Sequence, residues 1–395
     1  MRVFIVGAGA VGSILADMLG KDFGRKNVIC GDRDPSRAKR FMAGMKGVRL
    51  MRVDASDVAD LTRAVAGSDL IINAGLPDFN ERVMAAALAV GSHYQDMCSR
   101  LADLRHAEQL RFDARFRRAG LTALFNTGVA PGLTNLLAAE LADGFGRLRS
   151  LRIRLLEEQD AAVPVMSWSP RVIVDELASP PLVYRGGRFV LTKAFADAET
   201  FVFPRPFGPR RTVSIYGDEV ATIPLYIKVR DVDMKSGGTD IEFGAAIQAA
   251  GLLSSEPVAV GGASVRPRDF FELIAPKVPT PEEMRRLVRD GSVRNSWLLA
   301  AVEAEGDCGG KRMVRTVTAV FPDLRSVMRR RPGATYVAYP TALCAAAFTR
   351  AIGESRRTGA YPPEALEAPM RRRILRELKA QGIAFSTRTK TKGRG

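Results

Sequence analysis

Through the first third of the chain, apolar residues come in short runs separated by stretches with helical spacing. Residues 3–6, 27–31, 48–53, 70–75, 93–96 and 121–125 read as strands. The first is apolar throughout, as a strand covered on both faces must be. Between them, residues 13–19, 57–66, 80–90 and 101–118 carry the i, i+3, i+4 spacing of helices, with Asp57 placed to cap the second. Such alternation predicts a parallel, doubly wound sheet. After residue 142 the rhythm changes. Residues 148–156 alternate, with Leu151, Ile153 and Leu155 on one face. Further strands are expected at 189–191, 212–215, 225–229, 296–305 and 313–321, the last two joined by a glycine-rich hairpin at 306–310. Helices are expected at 243–250 and 281–289, and residues 340–353 are apolar enough for a buried helix. The fold class is therefore α/β: a Rossmann doubly wound parallel sheet with a second α+β domain built on a mixed sheet. The expected division is a dinucleotide-binding domain over 1–130, a substrate and dimerisation domain over 131–338, a helical segment over 339–370, and a basic tail over 371–395.

The first loop carries the chemistry. Gly7-Ala8-Gly9-Ala10-Val11-Gly12 follows a strand and opens a helix. In that setting Gly7 permits the turn, Gly9 lets a diphosphate approach the backbone, and Gly12 lets helix and strand pack closely, with the helix N-terminus facing the phosphates. The second strand ends at Asp32, twenty residues after Gly12, where a carboxylate can accept from the adenosine ribose. Asp32 favours NAD, whereas the adjacent Arg33 could pair with a 2′-phosphate and leaves NADP open. Asp54 and Ala55 close the third strand, and Asn73, Ala74 and Gly75 close the fourth, so both sets should border the dinucleotide.

Composition removes several classes of function. The only histidines are His93 and His106, and Cys30, Cys98, Cys308 and Cys344 form no C-x-x-C pair, so a metal centre, a Ser-His-Asp triad and a disulfide framework are not expected. No run reaches the roughly 20 apolar residues of a membrane span, and the opening run is too short for a signal peptide. A cytoplasmic protein is expected. The net charge of +16 invites a nucleic-acid partner. Yet residues 371–395 hold nine Lys or Arg against one Glu, half the excess, with no aromatic interleaved after Phe385. The polar stretch 386–395 reads as disordered, which makes nucleic acid an unexpected partner and the tail a solubilising element.

For the reacting end, Asp96 and Cys98 lie past the fifth strand, near the expected nicotinamide edge. Asp96 suits either a base or a helix cap, and Cys98 either a thiol or a small buried hydrophobe. Gly128-Val129-Ala130-Pro131-Gly132-Leu133-Thr134-Asn135 places Pro131 in a first helical turn and Gly132 where a ligand could approach. Asn135 could bind substrate or cap its own turn. Arg171, three residues after Trp168, has the fork that grips a carboxylate, or a surface ion pair.

This G-x-x-P-G-x-x-N segment resembles the saccharopine dehydrogenase-like family, which includes saccharopine reductases, lysine 6-dehydrogenases and carboxynorspermidine dehydrogenases. Ser167-Trp168-Ser169-Pro170-Arg171 is similar to the SWSPRG stretch of the saccharopine reductases. Residues 172–188 and 229–235 look like the matching parts of lysine 6-dehydrogenases, and 339–342 with 358–364 resemble the family's final helix and its closing signature. Asn126-Thr127 and Ser236-Gly237-Gly238 depart from the family pattern. The resemblance implies an NAD(P)-dependent oxidoreductase acting on a C–N bond of an amino acid or polyamine-like substrate, working as a homodimer. It also supports Arg171 as a carboxylate ligand and the return of the late helix to the first domain. A rival reading is a dinucleotide-binding sensor or scaffold that uses the basic tail.

Overall fold

In the computed structural model, which describes residues 1–392, the chain builds two sheets with one core running between them. The first domain runs β1 (Val3–Val6), α1 (Ala10–Phe23), β2 (Val28–Asp32), α2 (Pro35–Phe41), β3 (Arg49–Arg52), α3 (Val58–Val65), β4 (Leu70–Asn73), α4 (Asn80–Val90), β5 (His93–Asp96), α5 (Asp113–Arg118) and β6 (Thr122–Leu124). The chain then enters the second domain through α6 (Leu133–Ala142), β7 (Arg147–Ala161), α7 (Pro170–Ala178), β8 (Leu182–Arg185), β9 (Arg188–Leu191), β10 (Glu199–Val202), β11 (Pro209–Ser214) and α8 (Glu219–Tyr226). It continues through β12 (Asp231–Gly237), α9 (Thr239–Ala249), the small hairpin β13 (Val258–Val260) and β14 (Ala263–Val265), α10 (Pro267–Ile274), α11 (Pro281–Arg289), β15 (Val293–Cys308), β16 (Lys311–Val320) and α12 (Leu324–Arg330). Last come α13 (Ala338–Ile352), β17 (Gly359–Tyr361), α14 (Ala368–Ala380) and β18 (Ala384–Lys392).

The first sheet has the order β17-β6-β5-β4-β1-β2-β3, with every pairing parallel. β1 is buried at all four positions because α1 and α13 cover one face while α3 and α4 cover the other. The second sheet has the order β10-β11-β12-β7-β15-β16-β18, with β8 and β9 attached at β12. It is mixed: β12 runs parallel to β7 and the remaining pairs are antiparallel. The alternation read in residues 148–156 puts Leu151, Ile153 and Leu155 in the core. Arg154 is buried on the opposite face and donates to Glu199 and Asp233 at 2.5 and 2.7 Å, so its charge is paired within the sheet.

The hairpin of β15 and β16 turns on Gly309 and Gly310 alone, both at positive φ, as a two-residue turn requires.

Four expectations need correction. Residues 101–118 are not one helix: a loop precedes a short 3-10 turn at Glu108–Phe112, and only α5 is α-helical. Tertiary bonds override the helical spacing, since Glu108 accepts from Asn80 Nδ2 at 2.8 Å and from the Arg100 amide at 3.0 Å. Residues 225–229 are not a strand; α8 covers the first two, and the strand is β12. There Val232 and Met234 supply the inward face. Pro131 lies outside the helix, after a cis peptide bond, with Gly132 as the N-cap of α6. The basic tail is folded through residue 392: α14 packs on α13, and β18 pairs antiparallel with β16 from Ala384 to Lys392. Arg371 reaches Glu140 and Asp143, and Arg373 reaches Glu354. The expected disorder thus fails for 386–392, and residues 393–395 lie outside the described part. No described helix is long and apolar enough to cross a membrane.

Candidate active site

The carboxyl ends of the first-sheet strands open onto a cleft of about 600 Å³, walled on its other side by β7, α7 and the residues before α8. This is the edge of a doubly wound sheet where dinucleotides lie, adenosine toward β2 and β3 and nicotinamide toward β4 and β5. Gly7 sits at φ +92°, and a Cβ there would stand 2.8 Å from the Gly75 amide nitrogen. A Cβ on Gly12 would come within 1.9 Å of the Gly7 carbonyl, so only hydrogen lets α1 seat against β1. A Cβ on Gly9, by contrast, would meet no atom within 4 Å. The N-terminus of α1 has no side-chain cap, and its free amides face this open space. That cradle fits a diphosphate.

At the adenosine end, Asp32 Oδ2 accepts from the Ala8 amide at 2.8 Å and Oδ1 from the Asp34 amide at 2.9 Å. The carboxylate thus braces the glycine loop while facing the cleft. Arg33, Arg37, Asp54 and Ala55 line the same end. Hydrogen bonds from Ser56, with Arg33 and Arg52 nearby, hold the Asp54 carboxyl below its ordinary range. Asn73 is locked: its Nδ2 donates to Asn80 Oδ1 at 2.7 Å, and its Oδ1 accepts from the Gly75 amide at 3.0 Å. Ala10, Val11, Ala74 and Gly75 complete the wall, whereas Gly12 packs behind it.

Asp96 and Cys98 both border the cleft, at the end of β5 and just past it. Asp96 is buried and accepts from Tyr94 Oη at 2.8 Å, Gln109 Nε2 at 2.9 Å and the Asn126 amide at 2.8 Å. Burial pushes its carboxyl up to about 7. Asn126 stands at φ +58°, so Asp96 holds a left-handed residue at the entry to the 128–132 loop. Burial, followed by Asp218 and Asp96, pushes the Cys98 thiol well up, which keeps it protonated. The four cysteines are all free.

Among the substrate candidates, Pro131 borders the cleft. Gly132 lies beneath it: a Cβ there would strike the Gly128 carbonyl at 2.1 Å. Asn135 is buried, its Oδ1 accepting from the Gly132 amide at 2.9 Å and its Nδ2 donating to Glu364 at 3.0 Å. Its side chain closes the first turn of α6. Arg171 is 46% exposed, pairs with Asp78 at 3.1 Å, and does not line the cleft.

Four groups escaped the sequence reading. Arg100 lines the cleft and pairs with Glu81 at 3.3 Å, yet its Nε is buried without a partner. Glu157 at the inner end of β7, Glu176 on α7 and Asp218 before α8 all line this cleft. Among the described residues no cation lies within ion-pair distance of these three acids. Asp218 Oδ2 accepts from the Ser99 amide at 3.0 Å, and its Oδ1 has no partner. Burial pushes Glu157 up to about 7 and raises Glu176 and Asp218 well above their ordinary range, each also held up by neighbouring acids. Their spacing in the chain gave no signal, because three separate segments supply them.

Residues 3–124 match the saccharopine dehydrogenase NADP-binding domain, and residues 128–383 match the saccharopine dehydrogenase C-terminal domain. The chain belongs to the saccharopine dehydrogenase family. Carboxynorspermidine synthase of Vibrio cholerae is 23% identical over 306 residues, 70% of this chain and 73% of that protein. Carboxyaminopropylagmatine dehydrogenase of Synechocystis is 24% identical over 292 residues, 70% of this chain and 72% of that protein. Saccharopine dehydrogenase (L-Glu forming) of Saccharomyces cerevisiae has the same fold, with a TM-score of 0.69 at 16% identity over 98% of this chain and 99% of that one. As a member of this family, the chain is an NAD(P)-dependent oxidoreductase acting on a carbon–nitrogen bond.

Proposed function

We propose that this chain interconverts an imine and a secondary amine in a carboxylated, polyamine-like substrate. The carrying observation is the trio Glu157, Glu176 and Asp218, which faces the nicotinamide end without a counter-cation. Acids withdrawn from water with no cation beside them are costly to ionise, and a protonated amine would offset that cost. Arg100 supplies the complementary charge: its partnerless Nε suits a substrate carboxylate. The names of the two curated relatives, a carboxynorspermidine synthase and a carboxyaminopropylagmatine dehydrogenase, agree with this pairing of carboxylate and amines.

A reduced nicotinamide dinucleotide bound in the cleft would supply the hydride for an imine carbon. The chain's residues do the rest. Gly9 and the α1 amides would hold its diphosphate, and the locked Asn73 would shape the wall beside the reacting carbon. Arg100 orients the carboxylate. Glu176 and Asp218, whose carboxyls burial raises well above their ordinary range, hold a proton for the nitrogen that gains it on reduction. Asp96 acts through position, by fixing Asn126 and the loop behind it. The test is oxidation of NADPH or NADH, followed by absorbance, with amines and carboxylated aldehydes offered together. Turnover that requires both partners is the expected result; oxidation with carbonyl compounds alone would overturn the reading.

The proposal includes a cytoplasmic homodimer. Four free cysteines suit a reducing compartment. Leu273 and Ile274 of α10 leave apolar side chains in solvent, the kind of surface a second copy covers. Light scattering on the purified protein decides the oligomeric state.

A further inference from the structure

A second cavity of about 260 Å³ lies beside the cleft, between the inner end of β7, the 162–168 loop, α7 and α9. Glu157, Trp168, Glu176 and Ile215 line both spaces and form the partition. Whole-ligand pockets run about 300–1,000 Å³. The cleft falls inside that range and the chamber below it, so the chamber suits one arm of a ligand.

The chamber's lining is selective. Val165, Met166, Val174, Leu177 and Ile247 give it apolar walls. Glu157, Glu176 and Asp240 give it three carboxylates, and among the described residues no Lys, Arg or His lines it. Asp240 is held by Tyr336 Oη at 2.5 Å and by Gln159 Nε2 at 2.7 Å. Two polar atoms in the wall have no partner: Ser167 Oγ, on a residue 1% exposed, and Gln159 Oε1. Leaving such an atom unmatched costs folding free energy that a ligand donor would restore. Both can accept a hydrogen bond, as can the three acids.

We propose that this chamber binds an aminoalkyl arm of the substrate, a short methylene chain ending in a protonated amine, while the reacting nitrogen lies in the cleft. This rests on the cleft's C–N chemistry as read above. An ammonium brings three donors and a charge to a space lined by three acids and by two unmatched oxygens that can accept. An anionic arm would meet no cation among the described residues of the lining, and a neutral alkyl arm would leave Ser167 and Gln159 unmatched. Trp168 at the partition adds an aromatic neighbour of the kind cations favour. Burial pushes the Asp240 carboxyl up to about 6, and an ammonium beside it favours the ionised form.

The test compares 1,3-diaminopropane with 1-propylamine, of equal chain length and lacking the second amine. Calorimetric titration of the full chain saturated with NADP⁺ should give at least ten-fold tighter binding of the diamine. In turnover with a carboxylated aldehyde, the diamine's KM should be lower by a similar factor. Asp240→Asn should collapse both ratios toward one. Ile247→Phe, which fills the chamber while keeping its wall apolar, should do the same, and circular dichroism checks that both variants fold. Equal affinity for the two amines in the unsubstituted protein would overturn the inference, as would an unchanged ratio in the folded variants. An equal loss for both amines would mark the chamber as an entry path and also overturn it. Calorimetric diamine preference without turnover of either amine would sink the C–N reading and leave the chamber standing. Turnover of both amines without preference would do the reverse.

Discussion

Single side chains divide here by whether their polar atoms are already matched. Arg171 is matched: Asp78 holds it outside the cleft, in solvent. Exposed pairs of this kind contribute about 0–1 kcal/mol. Arg171→Ala should therefore change kcat/KM by less than about five-fold in the coupled amine–aldehyde assay. Arg100 is unmatched at Nε, and a charge-assisted bond there would be worth about 1.5–3 kcal/mol. Arg100→Met should raise KM for the carboxylated partner about ten- to a hundred-fold while the dissociation constant for NADPH stays within about two-fold. A parallel loss of NADPH affinity would place Arg100 on the cofactor instead. Gly12 tests a different constraint. An alanine methyl at this position would lie 1.9 Å from the Gly7 carbonyl, so Gly12→Ala forces α1 off β1. Overpacking of this kind costs about 1–3 kcal/mol, and it displaces the amides that cradle the diphosphate, so both Tm and NADPH affinity should fall.

At the scale of elements, the legible parts are those in which pattern and environment agree. The strands of the first sheet could be read because burial on both faces demands unbroken apolar runs, as in Val3-Phe4-Ile5-Val6. The glycine loop could be read because backbone geometry admits no other residue at positions 7 and 12. What escaped is governed by contacts distant in sequence. The 98–112 segment obeys Asn80 and Glu108 rather than its own helical spacing. β18 looks like a polar tail because its Thr, Lys and Arg residues lie at a sheet edge, where one face meets water; Arg388 still approaches Glu303 at 3.9 Å. The acids of the site were hidden for the same reason, since β7, α7 and α8 meet only in the folded chain. Truncation after Gln381 distinguishes a solubilising tail from a structural strand. Loss of β18 exposes the edge of β16 and should lower Tm by roughly 5 °C or more, read by scanning calorimetry, where a disordered tail would change nothing.

The whole molecule carries an unusual stock of buried acids. Burial pushes Glu157 and Glu364 up to about 7 and Asp240 up to about 6. Each binds its proton more tightly in the folded state than in the unfolded one. Their neutral forms therefore favour folding fully below about pH 4, and that contribution fades as pH rises through 6 to 7. Carboxylates such as Glu199 and Asp323 are held down by their partners, so their contribution disappears at the acid end. Free of ligand, the protein should have a higher Tm at pH 6 than at pH 8.5, and Glu364→Gln should narrow the difference. A Tm that rises steadily across that interval would contradict the assignment.

The seventh strand of the first sheet, β17, and the helix α13 that seals one face of that sheet come from residues 338–361, after the entire second domain. During synthesis, the nucleotide-binding half consequently leaves the ribosome with a raw edge at β6 and an uncovered apolar face over α1. It stays incomplete until some two hundred more residues have followed. Expressed alone, residues 1–130 should aggregate, and co-expression with residues 131–395 should recover soluble material.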